Sequence, residues 1–181
     1  EGCCSPYLRH NWAGHSNNRD AIVENVIESK YLNDLLIRRF RPQVYLDHHH
    51  QGPYEPRMSI APANNPIYPE YAPLVLRETQ RYGAEMADAL EHAGRQGIVT
   101  GDEKFNSYPI TSFYNVSMLH NCAGMLSESA DVNIATPVYV QPDPMHMPVT
   151  VTAQCPNPWK GGWWHLSDIV AQIYIASRAL L

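Results

Sequence analysis

Proline sets the limits on what this chain can fold into. One stretch, 51–69, carries Pro53, Pro56, Pro62, Pro66 and Pro69, and another, 136–162, carries Pro137, Pro142, Pro144, Pro148, Pro156 and Pro158. Each proline removes a backbone donor and steers the residue before it away from the helical region. Both stretches therefore read as irregular, and regular structure is expected in the windows around them. Ile27, Tyr31 and Leu35, with the offset set Leu32, Leu36 and Phe40, recur at helical spacing and predict a helix over 26–40 that Pro42 ends. Val44–His48 follows as a short buried strand. A long helix is predicted over 70–93, with Leu74, Leu76, Met86, Ala87 and Leu90 at its apolar positions and Gly94 as its stop. A short strand at Ile98-Val99, a polar loop over 100–110, a short helix over 112–120 and a buried strand at Cys122–Ser127 come next. Leu166, Ile169, Val170, Ile173 and Leu180 give an apolar face to a last helix running from Ser167 to the end.

Helix and strand alternate in this order, which favours an α/β sheet with helices packed on it. The 181 residues fit one domain, and 44% hydrophobic residues suffice for one core. A net charge of −5 without a basic run leaves no electrostatic footprint for nucleic acid. No apolar stretch is long enough to span a bilayer. The chain begins Glu1-Gly2-Cys3-Cys4 without an initiator Met, and reads as a mature product or a piece of a longer protein. Cys3 or Cys4 has a possible bridge to Cys122 or Cys155 in an oxidising compartment; buried free thiols are the alternative.

Three clusters hold residues with chemistry to offer: Asn17-Asn18-Arg19-Asp20 before a helix, Asp47-His48-His49-His50-Gln51-Gly52-Pro53 at the end of a strand, and Glu128 at the end of an apolar run. Side chains alternate across a strand. Asp47 and His49 thus share one face, and His48 and His50 the other, so three consecutive histidines cannot all grip one ion. Ligands of open α/β sheets gather at the carboxyl ends of strands, where His49 and Glu128 are both expected. Taken singly each cluster has a plainer reading: a solvated loop glutamate, a helix-capping Asn-Arg pair, a surface histidine run.

Taken in order, the clusters resemble the zinc carboxypeptidases of the carboxypeptidase A type. Trp12-Ala13-Gly14-His15-Ser16-Asn17-Asn18-Arg19-Asp20 looks like the Asn-Asn-Arg-Asp segment of bacterial members. Tyr45-Leu46-Asp47-His48-His49-His50-Gln51-Gly52-Pro53 resembles the strand carrying their last zinc histidine. Leu119-His120-Asn121-Cys122-Ala123-Gly124-Met125-Leu126-Ser127-Glu128-Ser129 resembles the strand bearing their catalytic glutamate. The likeness spans roughly residues 10–130, and the last helix fits the family's closing helix.

The resemblance implies part of a mixed β-sheet flanked by helices, in a carboxypeptidase-like fold whose N-terminal portion is missing. It implies a metallocarboxypeptidase that hydrolyses a peptide bond next to a free C-terminal carboxylate, with Zn2+ as cofactor and a peptide or acyl-amino acid as substrate. His49 would be a zinc ligand and Asp47 an orienting neighbour. Asn18 and Arg19 would hold the terminal carboxylate, a task suited to the planar guanidinium fork. Glu128 would be the general base. Tyr108 is the first candidate for the family's mobile tyrosine and Tyr114 the second. An extracellular or periplasmic location is the corresponding expectation.

The chain departs from the pattern at one point. Family members take a histidine and a glutamate ligand from an upstream His-x-x-Glu motif, and no histidine of this chain is followed three residues later by Glu. Two expectations follow: the missing ligands lie in an N-terminal segment of a longer protein, or the chain is a metal-free member. A non-catalytic carboxypeptidase-like binding domain and a zinc amidase or deacylase acting on acyl-amino acids are the alternative functions.

Overall fold

The computed structural model describes residues 15–181. Cys3, Cys4 and the Trp12-Ala13-Gly14 part of the first motif lie outside the described residues. The described chain is mixed α/β. A 3₁₀ turn at Asn17–Arg19 precedes α1 (Ile27–Asn33), which runs on into a π-helical segment, Asp34–Phe40. Then come β1 (Val44–Gln51), β2 (Met58–Ile60), β3 (Asn64–Ile67), α2 (Pro73–His92), β4 (Ile98–Thr100), β5 (Asn106–Ser107), α3 (Phe113–Leu119) and β6 (Ala123–Ala130). β7 (Val138–Val140), β8 (Gly162–Trp164) and α4 (Leu166–Ala179) close the chain.

The main sheet has the order β1-β6-β2-β4. β1 and β6 are parallel, β2 is antiparallel to β6, and β4 is parallel to β2. The sheet is therefore mixed and flanked by helices, as expected. One of its two inner strands, β2, lies within the 51–69 stretch that reads as loop. Met58, Ser59 and Ile60 are all buried, and although Ser59 faces away from Met58 and Ile60, three residues are too few to show a periodicity. β6 extends past Ser127, so Glu128 sits inside the strand rather than after it. β1 is half-buried rather than buried, because among the described residues it pairs with β6 alone. The polar 100–110 loop contains the two residues of β5, and the 136–162 stretch contains β7, which pairs with β8.

The core divides by sheet face. On one face Met58, Ile60, Met86, Leu90, Ile98, Met125 and Ala176 join the sheet to α2 and α4. His48 belongs to the same side: its Nδ1 lies 2.5 Å from Ser127 Oγ and its Nε2 2.9 Å from Ser177 Oγ of α4. Burial pushes its imidazole below the ordinary range, against the pull of Asp47. On the other face Tyr71, Val75, Phe105, Tyr114, Met118 and Leu126 form a second cluster under α3. A third joins Ala130, Val132, Val140, Met147, Trp164 and Ile169. Cys122 and Cys155 are buried free thiols.

α3 rides directly on β6 because Gly124 has no side chain. A Cβ there would stand 2.0 Å from Tyr114 O and 2.5 Å from Ser117 Oγ. The first is backbone and cannot rotate away. Gly124→Ala is expected to lower the unfolding free energy by about 1–3 kcal/mol through overpacking, read from the shift in the denaturant midpoint.

Candidate functional site

Register builds the site. In the β1–β6 ladder His49 lies opposite Glu128, and in the β2–β6 ladder Ser59 lies opposite the same glutamate. Three neighbouring strands thus bring His49, Glu128 and Ser59 into one row. The site opens at the carboxyl ends of the parallel pair β1 and β6. The two-residue alternation puts Asp47 and Leu126 on the same face, one pair below. His49 Nε2 is 3.2 Å from Asp47 Oδ2, and its Nδ1 is 3.7 Å from Glu128 Oε1. His49 and Glu128 are 19% and 23% exposed, enough for a ligand to reach both.

Asn18 and Arg19 arrive from the 3₁₀ turn. Asn18 Nδ2 is 3.2 Å from His49 Nε2. Arg19 Nη1 donates to Asn18 O at 2.7 Å and to Ser112 Oγ at 3.2 Å, and its side chain stands exposed at the mouth. The turn is held by Asp20, which is fully buried. Asp20 Oδ1 accepts from Asn25 N–H and Oδ2 from Val26 N–H, each at 3.0 Å, and His15 Nε2 lies 2.9 Å from Oδ1. Burial by itself would raise this carboxyl, but the hydrogen bonds to the charged form win and hold it at about 2.

These residues share a cavity of about 400 Å³. Asn18, Arg19, His49 and Glu128 line it together, as the motif order suggests, with Ser59, Asp102 and Tyr114. Ser59 Oγ donates to Asp102 Oδ2 at 2.6 Å. Glu55 and Lys104 form an ion pair at the rim, 2.5 Å apart. Sequence reasoning missed Ser59 because β2 is hidden between prolines, and Asp102 because it lies just past β4 in the polar 100–110 loop, where nothing local sets it apart. Tyr108 is outside the lining of this cavity. It is 53% exposed and packs edge-on against Tyr68, with ring centroids 6.1 Å apart. Tyr114 does line the cavity, and its Oη donates to Asn106 O at 3.2 Å. Burial raises its phenol pKa, and the carboxylates of Asp47 and Glu128 add to this.

Among the described residues, no three His, Cys, Asp or Glu side chains group to hold a metal ion. His49 is a sound single donor, but the described residues alone do not fit a resident zinc. No family model, curated protein or solved structure matches this chain. The geometry by itself offers a cation and an amide at the mouth, with an imidazole and a carboxylate beneath. That set can orient an anionic ligand and move a proton beside it.

The Asp20 carboxyl carries a pH prediction. Its folded value lies below the unfolded one, so the unfolded chain binds the extra proton first as pH falls. The resulting stability, roughly 2 kcal/mol from the size of the shift, is full above about pH 4 and is lost as pH falls towards about 2. Unfolding free energy measured across that window should fall more steeply for the parent protein than for Asp20→Asn.

Proposed function

We propose that this chain carries the substrate clamp and general base of a metallocarboxypeptidase, which hydrolyses the amide bond next to a free C-terminal carboxylate. The carboxypeptidase-like fold belongs to the same proposal. The observation that supports it is the register-fixed His49–Glu128 pair lying in one cavity with Asn18 and Arg19. Arg19 receives the carboxylate with its guanidinium fork, and the Asn18 amide adds a neutral donor beside it. Glu128, on the row beneath, takes a proton from the attacking water and passes it to the leaving amine. Tyr114, whose phenol lines the same cavity, is better placed than Tyr108 to touch the substrate. Under this reading His49 supplies one zinc ligand, and the remaining ligands come from outside residues 15–181, in an N-terminal segment of the same protein.

A second reading, a non-catalytic domain that holds peptide C-termini, is favoured by the incomplete ligand set among the described residues. The two separate by experiment. Glu128→Gln in the intact protein should lower kcat by roughly 10²–10⁴-fold, the usual contribution of a general base, with zinc content by metal analysis unchanged. Equal turnover by parent and variant, or no turnover by either, would remove the catalytic reading. Arg19→Ala should raise KM roughly tenfold or more for substrates with a free carboxylate, since a charged hydrogen bond of this kind contributes about 1.5–3 kcal/mol. C-terminally amidated substrates, if cleaved equally well by the parent protein, would show the clamp to be wrong.

A further inference from the structure

The helical segment before β1 carries two apolar stripes, and the buried core takes up one of them. Leu32 and Ile37 pack against Ala21, Phe113 and Val116. Ile27, Tyr31, Leu35 and Phe40 face solvent and are between 44% and 72% exposed. Helix geometry explains why these four form one row. In the α-helical part, Ile27–Asn33, residues four apart are neighbours on one face. In the π-helical part, Asp34–Phe40, the bonding pattern lengthens to five residues, so Phe40 falls in line with Leu35. The same change of period carries the buried stripe from Leu32 to Ile37. The turn before the helix adds Ile22 and Val23, which are also exposed. None of these residues lines the cavity that holds Glu128. Single exposed apolar side chains are ordinary, but a row of this length marks a contact surface.

The geometry points to this row as the interface of a two-fold dimer, in which α1 and its π-helical extension pack antiparallel on the same segment of a second copy. Charge identifies the occupant. The first turn of the segment carries Glu28, and the last turn carries Arg38 and Arg39. Under two-fold symmetry residue i meets residue j and j meets i. An axis passing between Tyr31 and Leu35 sets Ile27 on Phe40 of the second copy, Tyr31 on its Leu35, and Glu28 beside its Arg39. Each pair occurs twice, so the segment is its own complement in apolar contact and in charge. Arg39 already bonds Asp34 at 2.6 Å, but its side chain is 71% exposed and keeps donors for a second carboxylate. A parallel pairing would set arginine against arginine. An anionic bilayer would attract Arg38 and Arg39 but repel Glu28.

Sedimentation equilibrium on the intact protein over a range of concentrations should show a monomer–dimer equilibrium. Tyr31→Glu, at a side chain that faces solvent in the single chain, should keep the parent's circular dichroism. It should raise the dimer Kd roughly a hundredfold or more, because it sets a charge at the apolar centre of the interface. Arg39→Glu and Glu28→Arg should each raise Kd roughly tenfold, since each replaces two ion pairs with two like-charge contacts. The two reversals together exchange the charges and should return Kd to within roughly threefold of the parent. A parent protein that stays monomeric, a dimer that Tyr31→Glu leaves intact, or a double reversal that fails to rescue overturns the inference. So does a monomer that co-sediments with vesicles of phosphatidylcholine and phosphatidylglycerol, which would give the row to a lipid surface. A monomer in which Tyr31 is shielded from a surface-labelling reagent overturns it as well, because another part of the same protein would then cover the row.

Discussion

The in-register parallel pairing of β1 with β6 is the constraint on which the rest of the candidate site depends. Eight residue pairs run from Val44↔Ala123 to Gln51↔Ala130 without a shift. Because the side-chain period of a strand is two, a slip of one residue would turn every side chain to the other face. Ser127 would then face the cavity and Glu128 would face α4. The apolar pattern forbids that slip: Met125 fills the core under α2 and α4, and Leu126 fills the opposite core under α3. The chemistry of Glu128 is thus positioned by the burial of its apolar neighbours.

The histidine run shows how that division works. His49 faces the cavity, with Asp47 beside it on the same strand face, and His48 faces the core, where Ser127 and Ser177 lie against both ring nitrogens. Burial lowers the pKa of His48 and keeps it neutral, which suits a ring bridging a strand pair to a helix. His50, near the end of the strand, is 41% exposed and 3.1 Å from Asp131. Three identical residues in a row therefore occupy three environments, and alternation alone was enough to separate the first two.

What was legible in the sequence followed from length and apolar periodicity. α2 and α4 have enough turns to show an apolar stripe, and β1 and β6 have enough residues to stand out between proline and glycine. The motif residues could be placed on those elements because each sits at or near an element's end. β2 was not legible. Its three residues lie between Pro56 and Pro62, too few for an alternation to show, and nothing local distinguishes them from loop. Its place inside the sheet is set by pairing partners about 40 and 70 residues away, Val99 and Glu128, which is a tertiary effect. Ser59 followed β2 out of sight, and with it the role of Asp102, which joins the site through its hydrogen bond from Ser59. The preference for Tyr114 over Tyr108 is likewise a matter of packing, since both lie within a few residues of each other in sequence and only one is turned inward.

Arg57 explains how so irregular a segment holds still beside the site. The residue is fully buried, and its guanidinium lies 5.5 Å from the Trp159 ring and 5.0 Å from the Trp164 ring. Its Nη2 donates to Pro53 O at 2.9 Å and also to Glu55 O. Burial brings its pKa down to about 10, so it is still a cation at neutral pH, and the ring faces replace part of the hydration it has given up. The consequence is mechanical. Two tryptophans from the end of the second proline-rich stretch and from β8 fix an arginine, and the arginine fixes the carbonyls of the first. Glu55, which pairs with Lys104 at the cavity rim, is carried on that loop. The two proline-rich stretches, which contribute little regular structure of their own, are thereby tied to each other, and the wall of the candidate site is braced by contacts that lie outside the site.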